Sequence, residues 1–277
     1  MNQKKMKPPF SFYGGKQRLA PIINTYIPPH YLYGELFAGS AALFFLKHPS
    51  PVEVLNDTNG LLINFFKVVT TRFEDLRTEV IQTLSSRRTY DQAVVICKFP
   101  ELFDPVKQAW AIWLLCNQGF AGKPGAGWGF DRTNNASTSR AFHARTDFVY
   151  NIAKRLEKTQ LENADALYIL KARDSAGSFF YLDPPYINTA QGPYSGYRNI
   201  DYQQLLNCLA TIKGKFLLSS FPTDLLSTYC REQGWHQKVI EINGDVSRKS
   251  GRLKSKSEVI TTNYPLIQNS SPSLFLH

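Results

Sequence analysis

The sequence predicts an α/β fold: a mostly parallel sheet with helices on both faces, plus an inserted, mainly helical domain. Two observations carry that expectation. Short apolar runs alternate with segments of helical periodicity, the pattern of buried parallel strands joined by helices. Between about residues 71 and 159 the strand signal fades, and helix-like segments surround a glycine-rich stretch, "NQGFAGKPGAGWGFDRTNNASTSR". With 277 residues, 43% hydrophobic and 13% aromatic, the chain can bury a large core and still carry an insert.

In chain order, strands are expected at "YLYGELF" (31–37), "VEVLND" (52–57), "SFFYLD" (178–183), "KFLLSSF" (215–221), "QKVIEI" (237–242) and "EVITTNY" (258–264). Helical patterns fall between several of them: "GLLINFFKVV" (60–69), "DYQQLLNCLATIK" (201–213) and "TDLLSTYCREQG" (223–234). Residues 1–70 and 160–277 would form one discontinuous domain, and residues 71–159 the insert with its long loop.

Three of these strands end in residues with chemical meaning. After the first comes Phe37-Ala38-Gly39-Ser40 and then a helix. Ligands of open α/β sheets bind beyond such carboxyl ends, where glycine lets the backbone approach closely, although helix–strand packing alone also accounts for one glycine. Neither GxGxxG nor GK[ST] is present, which argues against a phosphate cradle. The second strand ends at Asp57, 18 residues after Gly39. An acid at about that distance is the usual partner of ribose hydroxyls; a cap for the following helix is the other reading. Together they suggest a nucleoside cofactor without phosphates, such as S-adenosylmethionine.

The third strand ends in Asp183-Pro184-Pro185-Tyr186. Two prolines fix their own φ and restrain the residues before them, so Asp183 is held stiffly. Its carboxylate and the Pro184 carbonyl can accept both hydrogens of one aromatic NH2 group. Doing so favours a more tetrahedral nitrogen whose lone pair is available to an electrophile. Tyr186 offers a flat face on which a base can stack. A capped Pro-Pro turn would use the same four residues.

The order of the pieces resembles the Dam-type DNA adenine-N6 methyltransferases over nearly the whole chain. "FSFYGGKQRLAPII" is similar to that family's N-terminal GGK motif, "ELFAGSAAL" to its glycine motif, "VLNDTN" to its acidic motif, "LENADALYIL" to the segment before DPPY, and "YLDPPY" to the catalytic motif. The resemblance implies a Rossmann-like methyltransferase sheet, S-adenosylmethionine as cofactor, no metal, and double-stranded DNA as partner. It implies that Tyr13 and Lys16 contact the methionine end of the cofactor, Phe37 and Gly39 line its pocket, Asp57 holds the ribose and Asp165 approaches the adenine. Asp165 could equally be a surface acid. Asp183, Pro184 and Tyr186 would be catalytic.

Within the insert, Asn117, Gly119, Phe120 and Gly122 resemble the family's "N..GF.G" segment. Phe120 would wedge into the base stack or anchor the loop, and Lys123, Trp128 and Arg132 are candidate DNA contacts. Members that read GATC carry a further basic residue after this segment. Here the stretch is "KPGAGWGF", a departure that puts GATC specificity in doubt.

Charge points the same way. Lys plus Arg total 32 against 22 Asp plus Glu, a net +10, which favours a polyanionic partner. "SRKSGRLKSK" gathers Arg248, Lys249, Arg252, Lys254 and Lys256 within ten residues, either as a solvated run or as phosphate contacts. Cys97, Cys116, Cys208 and Cys230 are scattered without CxxC spacing, as in a reduced cytosolic protein, and no metal is expected. None follows a proline, which argues against cytosine-C5 chemistry. The N-terminus lacks a signal-type apolar core and no run reaches membrane-spanning length, so a soluble, cytoplasmic protein bound to the nucleoid is expected; the oligomeric state is not read from the sequence, with a monomer favoured. Rival readings are an RNA base or cytosine-N4 methyltransferase, and a non-catalytic DNA-binding protein on the same fold.

Neutralising Lys249, Arg252 and Lys254 together should weaken binding to all duplexes alike. Each lost phosphate contact should make the slope of log K against log salt shallower by about 0.9. Titrations at several salt concentrations check this; altered site preference without a change of slope would contradict it.

Overall fold

The computed structural model describes residues 6–12, 14–120, 124–132, 136–187, 196–242 and 256–268. Tyr13 and Lys123, and Arg248, Lys249, Arg252 and Lys254 of the basic run, lie outside the described residues.

Among the described residues, one sheet holds seven strands: β1 (Leu32–Glu35), β2 (Val52–Asn56), β3 (Thr159–Glu162), β4 (Ser178–Leu182), β5 (Lys215–Ser220), β6 (His236–Ile242) and β7 (Lys256–Thr262). Their order is β3-β2-β1-β4-β5-β7-β6. The pairs β2/β3, β1/β4 and β4/β5 are parallel, and β7 runs antiparallel to both β5 and β6. The first five positions follow the doubly wound Rossmann order, and the reversed β7 lies between β5 and β6. The chain divides into two compact units, Met1–Pro21 with Ala38–Asp165, and Ile22–Phe37 with Ala166–His277.

The first unit contains β2, β3 and helices α2 (Ala42–Leu46), α3 (Gly60–Thr71), α4 (Phe73–Gln82), α5 (Arg87–Lys98), α6 (Pro105–Gln118), α7 (Ala136–Thr146) and α8 (Asn151–Leu156). Helix α6 organises it. Every residue from Ala109 to Gln118 is buried, as expected of a helix apolar all round, and α3, α4, α5 and α7 pack on it. Asp104 caps its start by accepting the Val106 N–H, with Pro105 at the first helical position. The N-terminal segment docks here too: Trp113 Nε1 donates to the Pro9 carbonyl at 3.1 Å, and the Phe10 ring meets Phe65 edge-on at 5.0 Å.

Beneath α8 lies a buried ion cluster. Arg155 grips both oxygens of Glu53 and also donates to the Phe44 carbonyl at 2.9 Å, while Lys47 Nζ meets Glu53 Oε1 at 2.5 Å. Burial opposes ionisation of Glu53, but the Arg155 hydrogen bonds and both cations prevail and hold its carboxyl below the usual range.

The second unit contains β1, β4 to β7 and helices α9 (Ala166–Arg173), α10 (Asn199–Leu209) and α11 (Asp224–Gln233); the short α1 (Ala20–Asn24) lies in the segment leading to it. All five residues of β4 are buried, and in β5 only Lys215 is exposed. Gly34 is opposite Phe180 in the β1/β4 register, and a Cβ there would come within 2.8 Å of the Phe180 ring. Glycine at that position makes room for the aromatic core. Tyr264 secures the end of β7 by donating to the Tyr26 carbonyl at 2.9 Å.

Each predicted strand has its counterpart, within two residues at either end, in β1, β2, β4, β5, β6 or β7. The three predicted helices are α3, α10 and α11. Strand β3 is an addition. "TQLE" is short, polar and never fully buried, because it forms the sheet's edge beyond β2, so it has neither an apolar run nor alternation.

Replacing Arg155 by Ala should destabilise the protein by about 3–5 kcal/mol in urea denaturation, since it leaves Glu53 buried without its main partner. The lowered pKa of Glu53 in the fold means that its contribution is present above its unfolded-state value and is lost as pH falls through the folded one. Acid should therefore lower the melting temperature more in the parental protein than in Glu53→Gln.

Candidate active site

In the first unit, turns at the carboxyl end of β2 and around Gly39 are tied through one carboxylate. Asp57 is buried, with Oδ2 accepting the Gly39 N–H and Oδ1 the Asn59 N–H, both at 2.9 Å. Asn59, not Asp57, is the cap of α3, accepting the Leu61 N–H at 3.1 Å. Gly39 has φ +50°, and a Cβ there would press to 3.1 Å from the Phe12 ring. The turn is further closed by Ala38 N–H donating to the Asn56 carbonyl at 2.9 Å. Lys16 is buried, and its ammonium donates to the Gly14 carbonyl at 3.1 Å.

A second set of bonds brings in the segment after β3. Asn56 and Ala164 exchange two hydrogen bonds at 3.0 and 3.1 Å, and Asn163 Nδ2 donates to the Asp57 carbonyl at 2.7 Å. Asp165 follows directly and is exposed. The structure thus gathers Gly39 and Asp57, and links the turn that leads to Asp165, as parts of one unit.

In the second unit, Asp183 and the prolines follow β4. Asp183 and Tyr186 are half-buried and Pro184 is buried. The Tyr186 hydroxyl donates to Glu258 Oε1 on β7, with Asp183 Oδ1 3.3 Å away, and Ser219 Oγ donates to the same Glu258 oxygen at 2.7 Å. The Tyr186 ring packs 4.4 Å from Phe221, centroid to centroid. Burial first, then the Asp183 and Glu258 charges, push the Tyr186 phenol well above its ordinary pKa. Burial and the same two carboxylates, with Glu35, do likewise to Tyr181. Both phenols therefore keep their protons. Beside the prolines lies a hollow large enough for about one water, lined by Tyr202, Ser220, Phe221 and Thr223. Phe37 belongs to this unit, half-buried and edge-on to Tyr197 at 6.5 Å.

The glycine-rich loop returns on itself just after α6. Phe120 N–H donates to the Gly127 carbonyl at 2.9 Å and Gly129 N–H to the Gln118 carbonyl at 2.8 Å. Trp128 stacks with Phe130 at 6.0 Å. The Arg87 guanidinium lies 5.1 Å from the Trp128 ring and 5.5 Å from Phe130, and Arg132 lies 5.4 Å from Phe130. Phe120 is 66% exposed and Phe130 47%. Exposed guanidinium and aromatic groups in one cluster suit phosphates and base faces together.

Sequence reasoning missed Arg87 and Glu258. Arg87 opens α5 behind the capping Ser86, and a basic pair at a helix start was its one available signal. Glu258 begins a β-like run and reads as a surface acid, yet it is only 4% exposed. The cysteines are free thiols, and burial pushes Cys97 up to about 12 and Cys230 to about 11. Such thiols are poor nucleophiles at neutral pH. Among the described residues, no cluster of three or more His, Cys, Asp or Glu could hold a metal, and no helix is long and apolar enough to cross a membrane.

A Rossmann-type sheet, an acid-tied glycine turn and a DPPY sequence after β4 are the features expected of a methyltransferase. Residues 12–239 match the model of the D12 class N6 adenine-specific DNA methyltransferases, and the chain belongs to that family. It is an enzyme that methylates DNA. It is 26% identical over 299 residues to the Type II methyltransferase M1.LlaDCHI of Lactococcus lactis subsp. cremoris, covering 95% of this chain and 97% of that one. Among solved structures it is weakly similar to precorrin 8W decarboxylase of Methanobacterium thermoautotrophicum, at 9% identity and TM-score 0.42 over 93% of this chain and 97% of the other. Precorrin-6y C5,15-methyltransferase of Geobacter metallireducens GS-15 gives 10% and 0.36 over 93% and 98%. Scores this low bear on neither fold nor activity.

Asp57→Ala should cost about 1–3 kcal/mol of stability without any ligand, because two backbone donors lose their buried acceptor. Denaturation of the ligand-free protein checks this; unchanged stability would show that water replaces the carboxylate.

Proposed function

We propose that this enzyme transfers a methyl group from S-adenosylmethionine to N6 of an adenine flipped out of double-stranded DNA. The observation that carries the proposal is the Asp183-Pro184-Pro185-Tyr186 turn: a carboxylate and proline carbonyls after a fully buried strand, beside a fixed tyrosine ring. Asp183 and the Pro184 carbonyl accept the two N6 hydrogens, and Tyr186 stacks on the base. The amine lone pair is thereby made available, and no covalent enzyme intermediate is required.

The donor set of the first unit fits the cofactor. Lys16 supplies a buried ammonium for a carboxylate, and Asp57 can add ribose hydroxyls to its two backbone donors, since a carboxylate offers about four acceptor positions. The Gly39 N–H already serves Asp57, which suits a cofactor lacking phosphates. When bound, S-adenosylmethionine supplies an electrophilic methyl group. Tyr13 would join Lys16 at its methionine end, Phe37 and Gly39 would line its pocket, and Asp165 would approach its adenine. Residues 71–159 would act as the target-recognition region. There Phe120 fills the space the flipped base leaves, while Lys123, Arg132 and Arg87 contact the DNA. The setting is cytoplasmic, and kinship to a Type II methyltransferase supports a place in a restriction-modification pair.

Incubation with methyl-labelled cofactor and duplex DNA, followed by nucleoside analysis, should yield N6-methyladenine. N4-methylcytosine, or label in RNA alone, would overturn the proposal. Asp183→Ala should slow transfer by roughly 10²–10⁴-fold while calorimetry finds cofactor binding retained.

A further inference from the structure

We infer that Glu258 is a positioning residue for this reaction: its carboxylate accepts the Tyr186 hydroxyl hydrogen bond and so preserves Asp183 Oδ1 as an acceptor for the adenine amine. The inference rests on the roles proposed above for Asp183 and Tyr186.

A phenol has one proton to donate. Two carboxylates lie near the Tyr186 hydroxyl, and they are not equivalent. The hydroxyl faces both as acceptors, with Glu258 Oε1 the closer and Asp183 Oδ1 at 3.3 Å, longer than the usual 2.5–3.0 Å of an O–H···O bond. Glu258 is held in turn, because Ser219 Oγ donates to the same oxygen at 2.7 Å and the side chain is buried on β7. Phe221 packs against the ring at 4.4 Å. Groups from β5 and β7 thus fix both the direction of the phenol proton and the plane of the ring.

Without a strong acceptor at position 258, the phenol would turn to Asp183. It would then occupy an acceptor position, withdraw charge from the carboxylate and release the stacking plane. A buried carboxylate that served only to satisfy Ser219 would have no such effect on Asp183. The two possibilities differ in what removing the phenol should do.

The experiment compares the full-length parental protein with Glu258→Gln, Tyr186→Phe and the double variant, by single-turnover methylation of duplex DNA, cofactor affinity and thermal unfolding. Glu258→Gln should slow the methyl-transfer step by about 10- to 100-fold, the scale of a hydrogen bond to a charged group, with cofactor affinity unchanged. Adding Tyr186→Phe should bring the rate back to that of Tyr186→Phe alone, because the competing proton is gone. Glu258→Asp keeps the buried charge but retracts the acceptor, and serves the same comparison should the glutamine variant fail to fold. Losses that multiply in the double variant, or a parental rate in Glu258→Gln, would overturn the inference. A parental protein that makes no N6-methyladenine would instead overturn the function on which it rests.

Discussion

Asp57 Oδ2 holds the Gly39 N–H and Asp57 Oδ1 the Asn59 N–H, so a single buried carboxylate closes two turns that are far apart in sequence. Parallel strands leave backbone donors at their ends that need acceptors once water is excluded. Here the acceptor is charged, which roughly doubles the strength of each bond over a neutral pair. That strength is needed locally. Gly39 has φ +50° and Ala41 φ +54°, and a non-glycine residue in that region costs roughly 1–2 kcal/mol. Such a conformation persists only where its surroundings over-determine it, and the Asp57 and Asn56 bonds do so. The same framework reaches the segment after β3 through Asn56 and Asn163, so Asp165 inherits its place from the Asp57 turn.

The second unit solves the opposite problem. After β4 the chain runs Asp183-Pro184-Pro185, and proline has no backbone N–H. This segment therefore presents carbonyls and a carboxylate with few donors of its own. An acceptor-rich turn is matched to a ligand bearing two N–H bonds, and it is poorly matched to a phosphate or carboxylate. The nearby donors are hydroxyls, Tyr186 and Ser219, and both are directed to Glu258. Strand β7 contributes here because it runs antiparallel beside β5. That pairing places Ser219 opposite Ile260 and Ser220 opposite Val259, next to Glu258 in sequence.

What the sequence makes legible follows from how each feature is encoded. Strand β4 is evident because a fully buried parallel strand must be apolar along its whole length. Asp183, Pro184 and Tyr186 stand out because a carboxylate, two prolines and a tyrosine fall in four consecutive residues. Asp57 is only half legible: its distance from Gly39 marks it, but its bond to the Gly39 N–H appears only in three dimensions. Glu258 and Arg87 carry no local signal. Glu258 is buried and bonded to Tyr186, 72 residues earlier, while an isolated glutamate at the start of a β-like run looks like a solvent-facing charge. Arg87 matters through rings at 128 and 130, which a reading of its neighbours cannot supply. Strand β3 escapes for a simpler reason, since a short polar edge strand has too little burial to leave a pattern.

Charge spread over the whole chain, a net +10, and charge fixed at one place differ physically in what they can do. Diffuse charge attracts any duplex, since phosphates repeat along the helix whatever the bases. Discrimination needs a donor held in a fixed direction. A lysine or arginine in solvent loses side-chain entropy when it is so held, which offsets part of the contact it makes. Arg87 meets that cost before any ligand arrives, because its guanidinium lies over both the Trp128 and Phe130 rings. The Arg132 guanidinium lies over Phe130. Ring contacts of this kind hold the Arg87 guanidinium in place without using up its charge.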